Sequence, residues 1–202
     1  MARAFADITF TDSVKAAQAR YGSREQNGFF ENAEDPRNSL GEKEIQFIQT
    51  RDSFYQATVG ENGWPYVQHR GGPPGFLKIL DERTFGYADY RGNMQYISVG
   101  NIGSDQRVSL ILMDYLNRRR LKIWGHAQIV HGYDNPELLE KLQDNEYAAK
   151  VERGVVVHVD ALEWNCPQHI TQRFTEDQVK QAVAPLLQEI TELKRLLASY
   201  QP

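Results

Sequence analysis

From Phe54 onward, apolar and polar residues alternate with the period of two that marks strands with one buried face. FYQATV (54–59) leads through Glu61-Asn62-Gly63 into WPYVQHR (64–70), a predicted hairpin, since Asn-Gly tolerates the positive φ of a tight turn. Pro65 gives the second of these strands an edge position or an unpaired amide. FLKIL (76–80) and TFGYADY (84–90) predict a second hairpin turning at Asp81-Glu82-Arg83. RVSLILMDY (107–115) and RRLKIWGHAQIV (119–130) predict a third through Leu116-Asn117-Arg118, and GVVVHVDALEW (154–164) closes the series. Strands in consecutive hairpins with short helices inserted predict a mainly β, α+β fold: a closed or nearly closed antiparallel barrel, expected to have six strands.

Helical spacing frames these strands. Thr11 to Tyr21 opens with Thr11 and Asp12 as cap candidates, and Ser39-Leu40-Gly41-Glu42 has capping-box spacing ahead of Ile45, Phe47 and Ile48. Gly28 to Asn38 reads as loop, and Asn93 to Gly103 as a short helix. Asn135-Pro136 starts a helix predicted to run on through ELLEKLQDNEYAAK. Thr175 and Gln178 repeat the capping-box spacing before a final helix. There Val179, Val183, Leu186, Ile190, Leu193 and Leu197 step by four and three, the seam of a coiled coil, with Pro185 expected to kink it or delay its start. Two readings stand: self-association through this seam, or a helix packed on its own barrel. The predicted organisation is a barrel domain over 1–174 with a helical lead-in, then a C-terminal helix over 175–202 as candidate dimerisation element.

Charge and composition narrow the classes. A net charge of −4 over 202 residues argues against a general nucleic-acid binder. The lone Cys166 excludes an intrachain disulfide framework and suits a reducing compartment. No apolar run is long enough to cross a bilayer, and MARAFADITFTDSVKAAQARYG lacks the apolar centre of a signal peptide, so a cytoplasmic protein is expected.

Candidate chemistry centres on His69-Arg70-Gly71-Gly72-Pro73-Pro74-Gly75, which interrupts the first two hairpins. Arg70 followed by two glycines offers a guanidinium fork and bare amides to a phosphate, or the segment is ordinary loop punctuation. It lacks the lysine-serine end and the following helix of a Walker motif. Cys166 with His169, and His126 with His131, give too few ligands for a structural zinc site, so no metal is expected. Arg118-Arg119-Arg120 reads as a solvated turn, with Arg120 or Lys122 able to reach an anion. Asp89 and Asp114 have no visible partner, no Ser-His-Asp arrangement can be built, and catalytic residues stay unassigned.

The order of these pieces resembles the flavin-binding split-barrel family of pyridoxamine 5'-phosphate oxidase, especially its small flavin-nucleotide-binding branch. The likeness covers about Leu40 to Phe174. It rests on PYVQHRGGPPGFLKILD, TFGYADYRGNMQYISVGNI, RRRLKIWGHAQIV and EWNCPQHITQRF. The resemblance implies a six-stranded split barrel, a homodimer with FMN in clefts at its interface, and an oxidoreductase acting on a small molecule with its own electron donor. By position, Gln68, His69, Arg70 and Gly71 would line the flavin and phosphate. Asn93 would stand in the phosphate segment, Asn101 where the family has Asn-Pro, and Arg120 where the oxidase has a glutamine near the flavin. Trp164 and Arg173 would match its C-terminal Trp and Arg.

Two departures accompany it. The oxidase's phosphate-gripping Arg-Lys pair is Asn93-Met94 here, and Gln68 replaces its first phosphate arginine, leaving Arg70 and Arg120 to compensate. The oxidase's substrate-binding residues are not recognisable. Alternatives from other classes are a flavin carrier or redox sensor without turnover, a deazaflavin or haem protein with His69, His126 or His158 as axial candidate, and a cofactor-free dimerisation module.

Overall fold

The computed structural model describes residues 2–165 and 167–200; Cys166 of the Cys166/His169 pair lies outside the described residues. The chain forms two compact units, one of residues 1–113 and 120–166, the other of 114–119 and 167–202.

The first unit is built on a seven-stranded sheet: β1 (Ser53–Val59), β2 (Pro65–Gly71), β3 (Lys78–Asp81), β4 (Thr84–Tyr90), β5 (Arg107–Asp114), β6 (Arg119–Val130) and β7 (Val151–Trp164), in the order β2-β1-β5-β6-β7-β4-β3. The sheet has seven strands in place of the six expected of the barrel: each of the seven alternating segments forms a strand, the short β3 included, which pairs with β4 at the edge. Closure into a barrel is not seen as a strand ladder: β2 and β3 end the order without pairing to each other. Alternation decides which side chains go inside. Phe54, Gln56 and Thr58 of β1 share the buried face with Leu110 and Leu112 of β5, in the register Phe54↔Leu112 and Gln56↔Leu110. β4 is buried on both faces, because helix α6 (Pro136–Leu142) covers its outer side. A Cβ on Gly86 or Gly154 would stand 2.7 Å from the Leu142 side chain.

Two one-residue bulges shape β7. Trp124 pairs with Ala161 but Gly125 with Val159, which leaves Asp160 as the extra residue. The phase of β7 therefore flips: Val155, Val157 and Val159 point to the main core, while Ala161 joins Phe5, Ala6 and Trp124 in a second cluster under helix α1 (Ala4–Thr9). The second bulge leaves Glu152 unpaired, because Asp89 faces Arg153 and Tyr90 faces Val151.

Helices α2 (Asp12–Arg20), α4 (Glu42–Gln49) and α5 (Ile97–Ser104) form near the expected places, with corrections. α4 is capped by Gly41 without a side-chain bond, so the Ser39 capping box does not form. Residues expected as loop after Gly28 continue helix α3 (Arg24–Glu31), where Arg24 is paired with Glu31. α6 stops at Leu142 instead of running on, since Asp144 Oδ1 accepts from the Glu146 amide (3.0 Å), a local turn that competes with helix.

In the second unit, Asp114 accepts from the Asn117 amide (3.0 Å) and side chain (2.8 Å) across the β5–β6 turn. Helix α7 (Glu176–Ser199) carries the predicted capping box of Thr175 and Gln178 and runs through Pro185 without interruption, contrary to the expected delay. None of its residues is buried.

Gly125 tests the first bulge. A Cβ there would lie 2.1 Å from the His158 carbonyl oxygen, so Gly125→Ala is expected to destabilise the protein by at least about 2 kcal/mol, read from the midpoint of urea unfolding. An unchanged midpoint would contradict the tight approach of β6 to β7.

Candidate functional site

β2 ends the sheet order and β4 lies one strand in from the other end, yet their side chains meet. The sheet is rolled enough for the Tyr87 hydroxyl on β4 to donate to Gln56 Oε1 on β1 (2.7 Å), with the Tyr87 and Phe54 rings edge to face at 5.2 Å. Burial pushes the Tyr87 phenol well above its ordinary range, so it stays a neutral donor. Where β2 and β4 face each other without a ladder, a cleft of about 170 Å³ opens.

Arginine and carboxylate dominate its walls. Asp89, nearly buried, accepts from Arg70 Nη1 (2.5 Å) and from Arg153 Nη1 (3.0 Å). Arg153 also binds Glu152 (2.9 Å) and lies over the Tyr96 ring at 4.8 Å. Glu152 is approached in turn by Arg91 Nε (3.5 Å) and accepts from the Tyr96 hydroxyl (3.3 Å). Neighbouring residues of a regular strand face opposite ways, so the bulge at Glu152 is what lets Glu152 and Arg153 both line the cleft. The two arginines and two carboxylates of the wall cancel in formal charge. In this wall Arg70 Nε stays buried without a partner among the described residues; the Tyr90 hydroxyl, also without one, lies on the side of Asp144 and Tyr147. Burial, with Asp144 next, raises the Tyr90 phenol above its ordinary range, so it too is a neutral donor.

The glycines have their own explanation. Gly72 is small because a Cβ would meet the Phe76 ring at 2.7 Å, and its amide already donates to the Asp52 carbonyl (2.9 Å). Gly75 supplies the turn with a φ of +90°. The segment therefore offers Arg70 to a ligand, while the Gly72 amide is spent on β1's approach. Across the cleft, Met94 and Tyr96 both adopt left-handed backbone, with φ of 59° and 54°, at the entry to α5.

Of the nine residues singled out from sequence, Gln68, His69, Arg70, Gly71 and Asn93 line this cleft. Gln68 accepts from Ser98 Oγ (2.9 Å) and shares the inner face with Arg70, whereas the His69 ring lies edge-on to Tyr55 on the outer face. Asn93 is engaged locally, its Oδ1 accepting from the Gln95 amide (3.1 Å). Asn101 donates to Thr58 (3.0 Å) and lines a different concavity at the β1–β2 turn. Arg120 lies at the start of β6 and does not line the cleft, its Nε buried without a partner among the described residues. Trp164 packs on α4, donating to Glu44 (2.6 Å) with its ring edge-on to Phe47 at 4.8 Å. Arg173 belongs to the second unit, with its guanidinium 4.8 Å from the Tyr115 ring centroid. His126 pairs with Asp160 (2.5 Å), and His158 approaches Thr84 (3.5 Å). Among the described residues, no group of three His, Cys, Asp or Glu is placed to hold a metal. No helix of the described residues is long and apolar enough to cross a membrane.

The triad gives a direct test. Asp89→Ala leaves two buried guanidiniums facing each other and is expected to cost about 3–5 kcal/mol in urea unfolding. Arg70→Ala keeps the Asp89–Arg153 bond and is expected to cost less; equal losses would contradict the shared role of Asp89.

No curated protein matches the chain. Among solved structures, Group A Streptococcus HupZ is 16% identical with a TM-score of 0.51, the match covering 67% of this chain and 99% of HupZ. General stress protein 26 of Bacillus anthracis is also 16% identical, with a TM-score of 0.45 and coverage of 59% and 88%. At such identities the likeness to HupZ shows the fold alone. The family model of pyridoxamine 5'-phosphate oxidase matches residues 40–165, a span that holds every residue lining the cleft. On that match, over more than half its length, the chain belongs to the pyridoxamine 5'-phosphate oxidase family.

Proposed function

We propose that the cleft between β2 and β4 binds FMN and that the protein is an FMN-dependent oxidoreductase acting on a small molecule. The observation that carries this reading is Arg70, which stands in the cleft wall with its Nε buried and without a partner among the described residues. A buried polar atom without a partner is costly, and the polar edge of a flavin ring would relieve this one. When bound, FMN supplies the hydride or electron transfer, and the protein supplies orientation and local charge.

The fit differs between the parts of FMN. The ring's polar edge finds a donor in Arg70. The phosphate finds less, because Asn93 and Met94 carry no charge and the arginines of the wall are neutralised by Asp89 and Glu152. A cleft of about 170 Å³ is also below the ~300–1,000 Å³ usual for ligand pockets. Both facts support a homodimer in which a second copy completes the site.

One observation favours a flavin carrier or redox sensor as the second reading. Asp89 and Glu152 are each held by arginine, so neither carboxylate of the wall is free to serve as a general base. Reduction of bound flavin by NAD(P)H at a catalytic rate, followed by reoxidation with an acceptor, separates the enzyme from the carrier.

Arg70→Ala is the variant to titrate with FMN, following quenching of flavin fluorescence. Loss of one charge-assisted contact is expected to weaken binding by roughly 1.5–3 kcal/mol. Unchanged affinity would remove Arg70 from the site.

A further inference from the structure

Helix α7 leaves its whole apolar seam uncovered: Val179, Val183, Leu186, Ile190, Leu193 and Leu197 are each between 38% and 65% exposed. At ~1.5 Å per residue its 24 residues span about 36 Å. Tyr200, at its C-cap, extends the spacing by one further step. The heptad assignment is unambiguous: Val183, Ile190 and Leu197 fall at the a positions, Val179, Leu186 and Leu193 at the d positions. Pro185 falls at c, on the outer face, so the helix runs through it without removing a side chain from the seam.

We propose that α7 pairs with α7 of a second copy of this chain as a parallel, in-register, two-stranded coiled coil. Three observations carry this choice of occupant and orientation. First, β-branched Val183 and Ile190 at a, with Leu186 and Leu193 at d, is the arrangement that favours two parallel strands. Second, the flanking positions match across a parallel pair, in which each g residue meets the e residue five positions later in the other helix. Glu189 meets the partner's Lys194, and Ala182 meets the partner's Leu187, one pair of opposite charge and one apolar. Third, Glu189 and Lys194 have no ion-pair partner within the chain among the described residues, whereas Lys180 is already paired with Glu176 (2.6 Å) at the helix start.

The antiparallel arrangement that keeps the same seam layers is disfavoured by its flanks. It sets Glu189 against the partner's Glu189 and Lys180 against the partner's Lys194, like charges at both edges. Both arrangements have the two-fold symmetry of a homodimer, so the flanks decide between them, and the pairing needs nothing of the flavin reading.

The test uses the full-length chain with Cys166→Ser, so that introduced thiols are the sole ones. Leu197→Cys, at an a position near the C-terminal end, is expected to form a disulfide-linked dimer under mild oxidation at least about tenfold faster than Gln181→Cys on the outer face. Adding Glu189→Lys is expected to slow that cross-link several-fold, and adding Lys194→Glu on top is expected to restore it. Cross-linking of Leu197→Cys no faster than Gln181→Cys, or a charge swap that fails to restore the rate, would overturn the parallel register. Light scattering that gives a trimer or tetramer of the unmodified chain would overturn the two-stranded pairing.

Discussion

The structure of the cleft depends on Asp89 holding two guanidiniums at once. Arg70 comes from the strand that ends the sheet, Arg153 from a strand two places from the other end, and the carboxylate between them ties both to β4. No backbone ladder performs this service, since β2 does not pair with β3 or β4. Two arginines against one buried acid would be an unbalanced arrangement, and Glu152 balances it. The cost of desolvating these charges is met by geometry: each carboxylate accepts more than one hydrogen bond.

That geometry follows from a single extra residue. Without the bulge at Glu152, the alternation of β7 would send Glu152 and Arg153 to opposite faces, and the wall would keep an arginine without its acid. The same network limits what the cleft can hold. It is rich in donors and poor in net charge, which suits a polar ring edge better than a phosphate dianion. The replacement of an Arg-Lys pair by Asn93 and Met94 points the same way.

Much of the fold was legible from period alone. All seven strand segments stand where the alternation places them, and the caps at Asn135 and Thr175 form as spaced. What failed was local competition and tertiary context. A helix as short as α1 has too few turns to show a stripe, and it exists because Phe5 packs against Trp124. The site was half legible. Arg70 stood out through its glycine neighbours, although those glycines serve Phe76 and the turn. Arg153 and Glu152 were missed because the strand reading began at Gly154, and no pattern in one sequence marks a bulge two residues earlier. Asp89 lacked a visible partner for the same reason: its partners come from strands 19 and 64 residues away.

The central claim is that this wall is built for a flavin edge. The most direct measurement is the visible spectrum of the full-length protein as purified, with mass spectrometry of whatever heat releases. Two absorption bands of oxidised flavin, with FMN released, are the predicted result. A colourless protein that also takes up no added FMN would contradict it, and would leave the Arg70–Asp89–Arg153 network as a clasp that holds the sheet and no cofactor.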